Sequence, residues 1–275
     1  MSQPPIETVR NTLIASPGKP FNLSERDSGD RSLFPDKKEA RKSLKEDAAA
    51  INELQDKLLA NADRAVLVVL QGMDTSGKSG VIRNVFALTS PYGMRVAAFK
   101  APSKIELSHD YLWRIHKKMP RKGEIVIFDR SHYEDVLVVK VRGFAPADAV
   151  EQRYDQINAF EKHLTENGVT ILKFMLNVGH EEQGIRLSER LEEEHKLWKF
   201  NPNDLEDRKL WPDFMSAYET MVNRCSTDHA PWHIVPADSR TRRNAMIARI
   251  VRGTLEEMNL NWPNPGYRLE DFTID

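Results

Sequence analysis

Eight consecutive residues, Gly72-Met73-Asp74-Thr75-Ser76-Gly77-Lys78-Ser79, have the types and spacing needed to hold a phosphate. They satisfy the pattern G-x-x-x-x-G-K-[ST], which carries meaning only between a strand and a helix. Both flanks are present, because RAVLVVLQ precedes the loop and a helix-forming run from Lys78 follows it. Gly72 and Gly77 let the backbone turn and come close to phosphate oxygens. Successive N–H groups, those of Thr75, Ser76 and Gly77 among them, then form an anion cradle at the positive end of the helix. Lys78 adds a point charge, and Ser79 is placed to face a magnesium ion. Asp74 is unusual in such a loop, since a carboxylate repels phosphate unless a cation intervenes. Two roles stay open for it: holding Mg²⁺ or orienting the attacking phosphate, and bonding its own loop as a turn residue.

A second carboxylate stands at the end of the apolar run Glu124–Phe128, in Asp129-Arg130-Ser131-His132-Tyr133-Glu134-Asp135. Ligands of open parallel sheets bind beyond the carboxyl ends of the strands. Asp129 is therefore a natural magnesium site of the Walker-B kind, with capping of the next helix as its plainer role, and Arg130 can clamp a phosphate with two parallel hydrogen bonds. His132 is read as a hydrogen-bonding residue rather than as a phosphorylated nucleophile.

A long anion needs more cations than one loop provides. Between Lys100 and Arg130 the chain carries Lys100, Lys104, Arg114, Lys117, Lys118, Arg121 and Lys122, against the acids Glu106, Asp110, Glu124 and Asp129. Two or three of these basic side chains are expected to touch substrate; the rest form a solvated face. Arg186 and Arg190 lie four residues apart on one helix face, in a segment, residues 181–212, that reads as a lid. Lid arginines stabilise charge that develops on a transferring phosphoryl group. Asn201-Pro202-Asn203 is a turn cluster suited to the lid tip. A surface network with Glu182, Glu189 and Glu193 is the plainer reading of the same helix.

Strands and helices must hold these groups. Residues 1–36 are polar and broken by five prolines, which predicts an extended arm, and Lys37–Ala60 has helical apolar spacing. Strands are expected at 64–71, 95–99, 124–128, 170–177 and 232–235, and helices at 78–88, 103–118, 147–167, 180–194, 212–224 and 240–258. Apolar strands alternating with helices predict an α/β fold, a parallel five-stranded sheet covered by helices, with the lid above it. One domain over 37–262 follows, with 263–275 as a tail.

Composition narrows the function. Lys and Arg number 40 against 41 Asp and Glu in 275 residues, so generic nucleic-acid binding is not expected. The longest apolar run, Ala65–Leu70, is too short to span a bilayer. The opening MSQPPIETVRN has no apolar segment of the secretory kind, and the single cysteine, Cys225, excludes an intrachain disulfide. A cytoplasmic location is the expectation.

Taken together the blocks resemble the polyphosphate kinase 2 family. GMDTSGKSG is similar to its G-x-D-x-x-G-K-x-G loop, DRSHYEDVLVV to its Walker-B segment, and RLSERLEEEHKLWKFNPNDLEDRKLW to its lid. YLWRIHKKMPRKGEI and STDHAPWHIVPAD also read as family blocks, so the resemblance runs from about Ala40 to Trp262. It implies a P-loop kinase fold of thymidylate-kinase type and Mg²⁺-dependent transfer between inorganic polyphosphate and adenine nucleotides, with guanine nucleotides as the alternative. It implies no covalent enzyme intermediate and a homodimer or homotetramer. Carried over by position, Lys78 binds phosphate, Asp74 and Asp129 serve the metal and the attacking phosphate, Arg130 clamps phosphate, and Arg186 and Arg190 are lid arginines. Tyr133, Glu134 and Lys199 fall in blocks that meet the nucleotide or phosphate. Many members have Trp-Tyr-Asn-Arg after the D-R-S triplet. His132-Tyr133-Glu134-Asp135 instead resembles members that accept AMP as well as ADP. An ATP-dependent nucleotide kinase of thymidylate-kinase type is the first alternative. A non-catalytic P-loop switch is the second, although no N-K-x-D or T-K-x-D segment for guanine occurs.

Overall fold

Five short apolar segments pair into one sheet in a computed structural model that describes residues 3–272 and Ile274. They are β1 (Ala65–Gln71), β2 (Met94–Ala98), β3 (Ile125–Asp129), β4 (Val169–Asn177) and β5 (Trp232–Pro236), in the order β2-β3-β1-β4-β5. Every pairing is parallel. β1 is wholly buried, as a central strand covered on both faces must be. Its ends register with the next strands so that Leu70 lies beside Asp129 and Gln71 beside Met175. The loop after β1 and the turn after β3 therefore open side by side.

The helices are α1 (Ile6–Leu13), α2 (Lys37–Asn61), α3 (Lys78–Val85), α4 (Lys104–Leu107), α5 (Trp113–His116), α6 (Val138–Val141), α7 (Ala147–Glu166), α8 (His180–Glu192), α9 (Asn203–Lys209), α10 (Trp211–Cys225) and α11 (Arg240–Glu257). One layer is built from α2, α3 and α11 and another from α7 and α10. Asp36 caps α2 by accepting from the Lys38 N–H at 2.7 Å. The segment expected to act as a lid folds as α8, a 3-10 turn over Glu194–Lys199, and α9.

Two local expectations change. The predicted helix 103–118 is two short helices. Ser103 and Glu106 form a capping box that opens α4, while the Asp110 carboxylate takes the N–H groups of Leu112 and Trp113 and starts the chain afresh. The first 36 residues are not extended throughout, because Ile6–Leu13 forms α1; as an arm they wrap around the domain. Val9 and Leu13 of α1 are buried, Ala15 donates to the Trp232 carbonyl at 2.8 Å, and Arg242 donates to the carbonyls of Phe34 and Pro35. The segment wraps its own domain because its scattered apolar residues, Phe21, Leu23 and Phe34 included, each find a core site. Beyond α11, Trp262, Tyr267 and Phe272 are exposed.

Candidate active site

Residues 72–77 fold as the spacing requires. Gly72 has φ 146° and Gly77 φ 102°, conformations that disfavour a side chain. A Cβ on Gly72 would stand 2.7 Å from the Leu176 carbonyl. Thr75 and Arg130 are non-glycine residues with φ near +64° and +63°. Such strain persists where the surroundings impose it, and it concentrates at functional sites. Arg130 is fixed by its own N–H to the Leu70 carbonyl at 3.2 Å, and the unusual turn aims its side chain back over the phosphate loop.

The cleft above these turns encloses about 1240 Å³. Asp74, Thr75, Gly77, Lys78, Ser79, Lys100, Arg114, Asp129, Arg130, Glu134, Arg186, Arg190 and Lys199 all line it. Lys78 is buried and donates to the carbonyls of Gly72 at 2.7 Å and Met73 at 3.3 Å. Burial and the charge of Arg130 lower its ammonium below the ordinary lysine value, while Asp74, Asp129 and Glu134 oppose them. Arg130 bridges Asp74 at 2.7 Å and Glu134 at 3.1 Å. Glu134, against the effect of burial, and then Asp74 keep this guanidinium firmly charged. Burial would raise the Asp74 carboxyl, but Arg130, Lys78 and Arg190 outweigh it and hold it low. Asp74 is thus neither idle nor merely a turn residue; its carboxylate is the partner of Arg130.

The lid arginines part company. Arg190 lies over the cleft and pairs with Asp204 of α9 at 2.8 Å. Arg186 is buried, and its guanidinium reaches the carbonyls of Thr75, Ser76, Ala237 and Asp238 at 2.8–3.3 Å. Burial lowers it, against the pull of Glu182. Arg186 therefore holds loop backbone and pairs with Glu182 at 2.8 Å, whereas Arg190 holds the Lys199 carbonyl and Asp204, a carboxylate that a phosphate can replace.

Other candidates lie elsewhere. Tyr133 is a correction: it is wholly buried, with its hydroxyl between Glu161 and Lys173, because an aromatic ring at this turn fills the core behind it. His132 is equally buried and meets Glu161 at 3.2 Å, so it offers no nucleophile to the cleft. Ser76 is buried, and the Gly72 carbonyl faces Lys78, so these two residues serve through backbone. Lys117 stands over the Trp113 ring, 4.0 Å from its centroid, beside a separate small hollow. Arg121 pairs with Glu124 at 2.6 Å, and neither it nor Lys118 lines the cleft.

Spacing did not reveal four contributors. Asp204 is buried against Asp74, and burial followed by that neighbouring charge raises its carboxyl to about 6, with Arg190 opposing. Its place just after the Asn201-Pro202-Asn203 turn was the available signal. Arg153 of α7 binds Asp135 at 3.1 Å across the cleft wall. Arg240 and Arg243 enter from α11, 160 residues beyond the loop, and nothing local marks them.

Among the described residues no group of three or more His, Cys, Asp or Glu side chains is arranged as a metal cage. Asp129 faces the cleft, and its carboxylate accepts no hydrogen bond from the described residues. That suits a magnesium ion, which keeps most of its shell for water and phosphate oxygens and takes one or two carboxylates.

Comparison with known proteins agrees with this geometry. The model of the family Polyphosphate kinase 2 matches residues 34–263. An AMP/ADP-polyphosphate phosphotransferase of Meiothermus ruber is 44% identical over 93% of this chain and 96% of its own length. An ADP-polyphosphate phosphotransferase of Rhodopseudomonas palustris is 35% identical over 89% and 92%. The crystal structure of polyphosphate kinase 2 from Arthrobacter aurescens TC1 superposes with a TM-score of 0.92 at 38% identity, covering 96% of this chain and 94% of the other. With the family model matched over residues 34–263 and relatives covered over nearly their whole length, the protein belongs to the polyphosphate kinase 2 family.

Proposed function

We propose that the protein transfers a phosphoryl group from inorganic polyphosphate to a nucleotide, ADP to ATP and AMP to ADP, directly and with Mg²⁺. One observation carries this reading. A single phosphate loop, a single strand-end aspartate and a lid arginine face one cleft, so donor and acceptor must meet across it. The strand order sets the two ends. Residues after β2, Phe99 and Leu107 among them, with Val138, Val139 and Phe144, give that side apolar surface for a nucleoside. The side above β4 and β5 carries Arg190, Lys196, Lys199 and Arg240, a cationic track for an extended anion.

Asp129 and Asp74 are the carboxylates that would hold the metal ion, with Ser79 beside them. Bound there, the ion would supply charge to the phosphate oxygens. The chain's own groups do the remaining work. The loop N–H groups and Lys78 hold the donor phosphates. A phosphate arriving at Arg130 competes with Asp74 and Glu134 for its fork, which frees Asp74 to orient the attacking oxygen. Arg190 leaves Asp204 for the transferring group, where its charge counts most as the bond breaks. Glu134, at the acceptor side of Arg130, is the residue assigned to AMP use.

The test uses the purified chain with polyphosphate, Mg²⁺ and either AMP or ADP, with no ATP, followed by separation of the nucleotides. ATP from ADP, and ADP then ATP from AMP, are expected, with no product from Lys78→Ala that remains folded. Glu134→Asn should lower AMP use more than ADP use. Phosphorylation only on adding ATP would replace this reading by an ATP-dependent nucleotide kinase.

A further inference from the structure

Three cations grip the carbonyl groups of the phosphate loop. Lys78 takes Gly72 and Met73, and Arg186 takes Thr75 and Ser76. A third cation comes from the last helix: Arg243 donates to the Ser76 carbonyl at 2.8 Å. Its side chain is 2% exposed, and its Nε and Nη2 donate to the Asn244 carboxamide at 3.1 and 2.9 Å. No carboxylate among the described residues pairs with it. Burial, then Arg186 and Arg240, push it down to about 9, so it stays charged at neutral pH.

Two glycines make room for it. A Cβ on Gly77 would fall 1.9 Å from Arg243 Nη1, and one on Gly80 would fall 3.0 Å from Nη2. The second glycine of Gly77-Lys78-Ser79-Gly80 thus has a packing reason that phosphate binding alone does not provide. A peptide plane whose carbonyl is held on one side presents its following N–H on the other. Gripping Ser76 O therefore fixes the orientation of the Gly77 N–H. An unpaired buried guanidinium is costly, and an anion in the cradle offsets that cost.

We infer that Arg243 is a positioning residue of the reaction, which braces the phosphate loop through the Ser76 carbonyl and orders its N–H cradle before the donor arrives. This rests on the reading of the cleft as a phosphoryl-transfer site.

The test is calorimetric titration of the full chain with inorganic tripolyphosphate and Mg²⁺, without nucleotide, for wild type, Arg243→Met and Arg243→Lys. Arg243→Met should bind roughly tenfold more weakly or worse, because a small displacement of positioning groups has large effects. Arg243→Lys keeps one donor for the Ser76 carbonyl and should fall between the two. In steady state the KM for polyphosphate should rise in Arg243→Met while that for the nucleotide stays within about twofold, a split that general loosening of the fold would not produce. Should Arg243→Met fail to fold, Asn244→Leu removes only the group that aligns the guanidinium, and should weaken tripolyphosphate binding about threefold or more. Binding within about twofold of wild type in whichever of these two variants folds would overturn the inference. Wild-type protein that does not bind tripolyphosphate at all would overturn the reading of the cleft and this inference with it.

Discussion

Replacing Lys173 by Met should be among the most damaging changes outside the cleft. Lys173 is wholly buried in β4, and its ammonium donates to Glu161 at 2.6 Å, the Tyr133 hydroxyl at 2.7 Å and the Cys225 carbonyl at 2.7 Å. Burial would raise the Glu161 carboxyl, but Lys173 and then His132 outweigh it and keep it ionised. Methionine fills the space and deletes the charge. Glu161 is then left with only the Tyr133 hydroxyl at 2.8 Å and His132 at 3.2 Å. Removing one partner of a buried ion pair costs about 3–5 kcal/mol. With a urea slope of about 3 kcal/mol/M, the unfolding midpoint should fall by about 1 to 1.7 M. Trp232 reports the change, since its ring centroid lies 5.2 Å from the Lys173 ammonium and 4.8 Å from the Tyr133 ring. Pairing the change with Glu161→Leu should recover much of the loss, because both charges then leave the core together. Activity at temperatures where the variant is folded should also fall, since Tyr133 anchors the turn that carries Arg130 and Glu134. A midpoint shift below about 0.3 M at unchanged slope would refute the energetic reasoning.

Asp129→Asn should lower turnover on the order of a hundredfold, with partial recovery at higher Mg²⁺; a rate near wild type in a coupled assay would remove the metal role. Arg190→Lys keeps charge but loses the planar fork, so single-turnover rates should fall about tenfold or more while nucleotide affinity changes little. Equal rates for variant and wild type would make that helix an ordinary solvated face. Burial pushes His233 of β5 down to about 4. The unfolded chain binds this proton first as pH falls, so stability is full above about pH 6.5 and declines toward pH 4, by about 3 kcal/mol at most. His233→Phe should flatten that part of the pH–stability curve measured by urea melts, and an unchanged slope would assign the decline to other groups.

Sequence reading reached far where the controlling physics is local. A strand, a glycine-rich turn and a helix N-terminus are contiguous, so Gly72–Ser79 announces its anion cradle without help from the rest of the chain. Asp129 follows from the end of an apolar run by the same logic, and the helices from Ala147, His180 and Arg240 begin where their spacing predicts. Local physics also set the limits. Capping by Ser103 and by Asp110 split one predicted helix in two, because a hydrogen-bonding side chain competes with apolar periodicity.

What depended on packing between distant segments was not legible. Spacing gives Arg186 and Arg190 the same helix face, yet one is buried against loop carbonyls and the other waits over the cleft on Asp204. Only the approach of the β5–α11 connection to the phosphate loop separates them. Tyr133 follows Asp129 as closely as Glu134 does, but adjacent side chains of a 3-10 turn stand about 120° apart, and the buried charges of Glu161 and Lys173 draw its hydroxyl inward. Arg243 is the extreme case. Its partner carbonyl is 167 residues away in the chain, and a hydrogen bond to backbone leaves no mark on the type of residue that accepts it. The chemistry of the reacting groups is written in residue type and short spacing; the orientation of those groups is decided by contacts that only the folded chain brings within reach.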